Sequence, residues 1–231
     1  MFFLTYTNLF FGSLLFLAIF AKGVEKNVST KIKDAISQGS NFLQNDQNKD
    51  GSWGSPHQTK GLNIFAPVPG SHRAFRLAVS SLSLHALLEN QDKNPIYKKT
   101  ISKGAEYLLS NLGQLRRASP MALYNVWSHA FGIQALASLY KSDHGKKNKE
   151  DIKDLVRQQI KMLEKYESID GGWGYYDFNA QTKQPSGSSI SFVNGTVLIA
   201  LKDAESLGVE VPEKTVTKAL AAIRRQRLPD N

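Results

Sequence analysis

From Ser29 onward the chain alternates between two kinds of segment, both with the helical spacing of apolar positions and neither with the two-residue alternation of a strand. One kind carries a single apolar face and covers about Thr30 to Asn45, Pro95 to Asn111, Glu150 to Glu167 and Pro212 to Leu228. In the second of these, Tyr97, Ile101, Ala105 and Leu108 share a face while Lys99, Lys103 and Glu106 point away. Ile152, Leu155, Val156, Ile160 and Leu163 repeat the pattern in the third. The other kind covers about Arg73 to Leu88, Met121 to Tyr140 and Ser189 to Leu207, and is apolar on nearly every side, as a helix enclosed by neighbours requires. Ser119-Pro120 and Val211-Pro212-Glu213 supply start signals, a cap followed by a first-turn proline. The pattern predicts an all-α protein in which half-exposed outer helices surround buried inner ones.

The N-terminus is of another character. Met1 to Ala21 holds no charged side chain, and its apolar run from Leu9 to Phe20 reads as the core of an export signal, with Ala21-Lys22-Gly23 suited to cleavage. The stretch has no Lys or Arg ahead of the run and is just long enough to span a bilayer, so a retained anchor is the competing reading. The expectation is a signal peptide or N-terminal anchor over residues 1–23, one helical domain over 24–231, and an exported destination: periplasmic, extracellular or membrane-anchored. The chain has no cysteine, which excludes disulfides, thiolate metal sites and cysteine nucleophiles. Its net charge of +9 is spread along helix faces such as Lys98-Lys99-Lys103 and Lys153-Arg157-Lys161-Lys165. These read as solvated faces, so no nucleic-acid partner is expected, with an anionic partner as the lesser alternative.

An internal repeat links Asp50-Gly51-Ser52-Trp53-Gly54 to Asp170-Gly171-Gly172-Trp173-Gly174, 120 residues later. Ahead of the first copy stand Gly39, Phe42-Leu43 and Gln47, which with Gly51 and Trp53 make G-x-x-F-L-x-x-x-Q-x-x-x-G-x-W. Gly104 to Leu108 keeps the front half of this motif, with Leu112 and Ala118 at the Gln and Trp positions. Met162-Leu163, Glu167, Gly171 and Trp173 keep the back half, and Ala219, Ala222-Ile223 and Arg227 continue the register weakly. Physically, Asp-Gly is favoured turn chemistry, a glycine after an outer helix permits the left-handed turn that ends it, and an indole beyond the turn can staple adjacent helices.

The motif resembles the QW repeat of squalene-hopene and oxidosqualene cyclases, and more broadly the prenyltransferase and squalene oxidase repeat. That resemblance covers nearly everything after the N-terminal segment. It implies an α/α toroid of helical hairpins in which the repeats tie outer helices together and any chemistry sits on inner helices and loops. Counted from each outer helix, the chain supplies three complete pairs and the first helix of a fourth, about three and a half pairs of an incomplete ring. The expectation is a sequence truncated at its C-terminal end, with closure by a second copy as the alternative.

The chemistry that the resemblance would bring is not in the residues. The D-x-D-D acid motif of an alkene-protonating cyclase does not occur, and the cysteine of a prenyltransferase zinc site is missing, so no cofactor and no metal are expected from this chain. Asp151 and Asp154 sit among lysines on an outer helix and read as a solvated face. The five histidines form no H-x-x-x-H or H-E-x-x-H pair. His85 and His129 fall in inner helices, where a hydrogen-bonded core histidine is the more common reading. Ser186-Gly187-Ser188-Ser189 reads as a helix cap rather than a nucleophile or phosphate loop.

Candidate ligand-binding residues are those near inner-helix starts: His72, Arg73, Tyr124, Trp127, His129, Tyr175, Tyr176 and Asp177. Arg73, Tyr124, His129, Tyr175 and Asp177 are expected to gather at one end of the helices, where helix N-termini favour a polar or anionic group and the aromatic rings favour the rest of an amphipathic molecule. Core packing is the competing reading for the aromatics. Three functions are open: an exported toroid that binds a hydrophobic or amphipathic small molecule or an envelope protein partner, a terpene-cyclase-type enzyme whose acids lie beyond Asn231, and a polysaccharide-acting α/α barrel.

Overall fold

The computed structural model describes residues 28, 30–55, 69–90, 95–179, 184–185 and 189–227. The expected export segment, residue His57 and residues 186–188 lie outside them. Among the described residues there are seven α-helices and no strand: α1 (30–45), α2 (Pro69–Leu88), α3 (Lys98–Asn111), α4 (Asn125–Lys141), α5 (Lys149–Lys165), α6 (Ser191–Ser206) and α7 (Glu213–Arg225). None of the described helices is long and apolar enough to cross a membrane.

The chain divides into two compact units, Met1–Asn45 and Asp46–Asn231. The first contributes α1, on which Ile32, Ile36 and Phe42 are exposed, Phe42 at 64%. Phe42, a position of the repeat motif, therefore presents its ring to solvent.

In the second unit the half-exposed helices bury one face as expected, but α2 and α6, expected to be enclosed on nearly every side, leave Val79, Leu82, Phe192 and Ile199 exposed. On α5, Ile152, Val156, Ile160 and Leu163 are buried while Lys161 and Lys165 are exposed. On α4 most positions are buried, including Val126, Ala130, Ile133, Ala137 and the small residue Gly132. A Cβ on Gly132 would lie 2.6 Å from Leu112 Cδ2, so the missing side chain is what lets the end of α3 close on α4. α4 packs on α2, α6 and α5, α2 packs on α3, and α6 packs on α7. An inner row α2–α4–α6 thus lies in front of outer helices, and each inner helix pairs with the outer helix that follows it. The sequence-based count had started each pair at the outer helix.

Boundaries shift where turn chemistry overrides periodicity. Ser119 Oγ accepts from the backbone N–H of Met121 and Ala122, at 3.3 and 3.0 Å. It therefore closes a turn of its own and does not cap α4, which starts six residues later. α2 begins at Pro69, earlier than its apolar pattern indicates, because the proline fits a first helical turn.

The two copies of the Trp motif are the same turn. Asn48 N donates to Ser52 O at 2.9 Å and Ser168 N to Gly172 O at 2.8 Å; Gly51 N donates to Asn48 O at 3.0 Å and Gly171 N to Ser168 O at 2.8 Å. Gly51 and Gly171 adopt φ of +88° and +89°, and a Cβ on either would strike the backbone of the next outer helix, at Lys103 and Lys218 respectively. Only glycine satisfies both demands. Trp53 N donates to Ser80 Oγ at 2.9 Å and Trp173 N to Asn194 Oδ1 at 2.6 Å, each tying the turn to an inner helix. Trp53 fits against Gly104 on α3, and Trp173 Nε1 donates to Leu163 O at 2.8 Å. In contrast, a Cβ on Gly39, the first glycine of the motif, would meet no described atom within 4 Å.

Candidate functional site

Aromatic side chains from four segments meet along the inner helices. Phe75 of α2 lies 4.6 Å from Tyr124, whose ring is 6.5 Å from Tyr175 and 5.6 Å from Tyr176. Tyr175 and Tyr176 pack edge to face at 4.7 Å, and Tyr176 stacks on Phe178 at 5.6 Å. Tyr175 also reaches Phe192 of α6 at 6.3 Å. Phe192 stacks on Trp127 at 5.8 Å, and Trp127 stacks on Phe131 one turn along α4 at 5.6 Å. Each ring-to-ring contact falls in the favourable range for aromatic pairs.

This network is only partly covered. Tyr124 is buried, Phe75, Trp127, Phe131, Tyr175 and Tyr176 are half-buried, and Phe178 and Phe192 are 64% and 58% exposed. By helical spacing the surface continues through Val79 and Leu82 on α2 and Ile199 on α6, all exposed. Tyr124 Oη donates to Tyr176 Oη at 3.0 Å. Burial first, then that bond, push the Tyr124 hydroxyl's pKa above its ordinary range, so it stays a neutral phenol.

The segment carrying Tyr175, Tyr176 and Phe178 is held by an antiparallel bridge between Ala122 and Tyr176. Leu123 N donates to Tyr175 O at 2.8 Å and Asp177 N to Met121 O at 3.1 Å. Beneath the rings, the fully buried Asp177 carboxylate accepts from Arg117 Nη2 at 2.7 Å. Arg117 also donates from Nε to Ser119 O at 3.0 Å and from Nη2 to Pro120 O. One guanidinium thus fastens the loop before α4 to the aromatic segment.

The structure brings Tyr124, Trp127, Tyr175 and Tyr176 together, sets His72 and Asp177 beside or beneath them, and turns Arg73 and His129 elsewhere. His72 is half-buried on the side of α2 that carries Phe75 and Val79. Arg73 is exposed, turns toward the end of α3 and donates to Gln114 Oε1 at 3.3 Å. Asp177 lies under the surface and positions backbone. His129 faces α5, where its Nδ1 lies 2.7 Å from Gln159 Oε1 and its ring stacks on Tyr166. Burial lowers its pKa to about 4, so it is a neutral core histidine at ordinary pH.

Phe75, Phe131, Phe192 and Arg117 escaped the sequence reading. Trp127 and Phe131 stand at i and i+4, and that aromatic stripe could have marked them. Arg117 gave no signal, because its carboxylate is sixty residues away.

Against known proteins, the chain matches no family model, no curated protein and no solved structure.

Proposed function

We propose that this chain is a helical-hairpin repeat protein, an arc of an α/α toroid of the prenyltransferase and squalene oxidase repeat kind, that binds an amphipathic molecule on its aromatic face outside the cytoplasm. The observation that carries the reading is the linked, half-open series of eight rings from Phe75 to Phe192. A soluble helical protein loses free energy by leaving such rings in water, and contiguous exposed apolar surface of this kind marks an interaction site. The repetition of the Trp turn supports the repeat architecture, and the uncharged N-terminal residues support export.

Binding fits the residues better than turnover. Asp177, the carboxylate nearest the rings in sequence, is buried in its pair with Arg117, so it anchors a loop and offers no free acid. The rings leave flat π surface and phenolic hydroxyls for a molecule with an apolar body and a small polar head.

Trp127 makes the test direct. Trp53 and Trp173 are fully buried at helix junctions, so of the three tryptophans Trp127 is the one that a ligand on this face touches. Titrating the full chain with farnesol is expected to change tryptophan emission saturably, and Trp127→Phe is expected to remove the change without unfolding the protein. Emission that stays flat up to the solubility limit of farnesol and of dodecanol would sink the reading.

A further inference from the structure

Glu167 stands in the third repeat where Gln47 stands in the first. Gln47 Nε2 donates to Gly51 O at 3.0 Å and to Thr100 O at 2.9 Å, joining its turn to the start of α3. The surrounding turns share the same two backbone hydrogen bonds, and Gly51 meets Lys103 as Gly171 meets Lys218. In that register the carbonyls corresponding to Gly51 and Thr100 belong to Gly171 and Thr215. Glu167 reaches this place with a carboxyl group. Its side chain is 7% exposed, Oε2 lies 3.5 Å from Lys218 Nζ, and Oε1 is buried with no hydrogen-bond partner. An ionised carboxylate has nothing to donate to a carbonyl, whereas a protonated one has a single O–H that can replace the amide of Gln47.

We propose that Glu167 makes the junction between α7 and the 167–174 turn proton-dependent: protonated, it donates to a backbone carbonyl as Gln47 does, and ionised, it leaves a buried charge offset by Lys218. The groups that face it are Lys218 and Lys214 from α7 and Glu164 from α5. Burial raises its pKa and outweighs the opposing pull of Lys218. With the folded-state value above the unfolded one, the contribution of this group is complete below the ordinary glutamate pKa of 4.5 and is lost as pH rises through the raised value. Because the turn runs through Trp173 into Tyr175-Tyr176, loosening this junction also loosens the aromatic segment. The proposal concerns stability and stands whether or not that segment binds a ligand.

Thermal unfolding of the full chain, of Glu167→Gln and of Gln47→Glu, measured from about pH 4 to about pH 9, tests it. Glu167→Gln is expected to melt ~2–4 °C above the natural chain at the alkaline end, with the gap closing on acidification. Gln47→Glu, which writes the same carboxyl into the first turn, is expected to melt lower at the alkaline end and to recover toward acid. A Glu167→Gln variant that melts at or below the natural chain throughout, that differs by a margin independent of pH, or that fails to fold would overturn the proposal.

Discussion

Trp53 and Trp173 are 1% and 0% exposed and hydrogen-bonded to inner helices, whereas Trp127, Phe178 and Phe192 touch other rings yet remain open to solvent. Both regions use large aromatic side chains beside helix ends. At the Trp turns each indole has a cavity made for it: Gly104 gives Trp53 its space, and the positive φ of Gly51 and Gly171 lets the turn approach the next helix. On the inner face the rings touch one another, and Phe178 and Phe192 stay largely exposed. An aromatic residue that closes a junction holds the fold, and one that shares its face with solvent is available to something else.

The largest effect should come from deleting a closed indole. Trp173→Ala leaves a cavity beside Leu163 of α5 and removes the indole N–H from Leu163 O, while the backbone bond of residue 173 to Asn194 remains. A loss of about 3–5 kcal/mol is expected by chemical denaturation, and Trp53→Ala should match it to within about 1 kcal/mol if the two turns are equivalent. Trp127→Ala on the open face should cost well under half as much. Comparable losses at all three would erase the distinction between the regions.

A second test uses pH to reach the buried side of α4, behind the open face. His129 has a folded-state pKa of about 4 against an ordinary 6.5, with burial the leading cause and the Gln159 hydrogen bond opposing it. The unfolded chain therefore takes up a proton that the folded chain refuses. Its stabilising contribution is complete above pH 6.5, declines as pH falls, and is lost at about pH 4. The difference amounts to about 3 kcal/mol. His129→Gln is expected to flatten this acid limb while leaving farnesol binding at neutral pH unchanged. A loss of binding in that variant would place His129 in the site after all.

Much of this division was legible in the sequence, and its limits are physical. Periodicity separates α5, with its single buried face, from α4, buried at most positions, because burial acts on every residue of a helix at once. The Trp turns were legible because positive-φ glycines beside an indole leave a fixed local signature. The half-open rings were not, since a residue such as Phe192 in an apolar helix looks the same in sequence whether its neighbour is protein or water. Arg117 and Gln159 were missed for a related reason: their partners Asp177 and His129 are close only after folding. His129 falls in the first turns of α4, and the side it presents to α5 is set by which neighbour packs there, which its own sequence position does not show.

The smallest expected effect is the most discriminating. Gly195 lies on α6 between Phe192 and Ile199 at helical spacing, so it falls on the open face, and a Cβ there would meet no described atom within 4 Å. A glycine inside a helix is destabilising relative to alanine, so Gly195→Ala should gain about 0.5–1 kcal/mol. Gly39→Ala, in α1 and equally free of described neighbours, should gain a similar amount and serves as the reference. The two variants should part company in binding. A methyl group at Gly195 stands beside the Phe192–Trp127 stack and lifts any molecule lying along the face away from the backbone, so farnesol affinity should fall about 3- to 10-fold, worth roughly 0.6–1.4 kcal/mol. Gly39→Ala should leave it unchanged. Higher stability with weaker binding at position 195 alone would show that the gap is kept for a ligand against the preference of the helix. Equal affinity in both variants would confine the ligand to the Tyr124–Tyr176 end of the face.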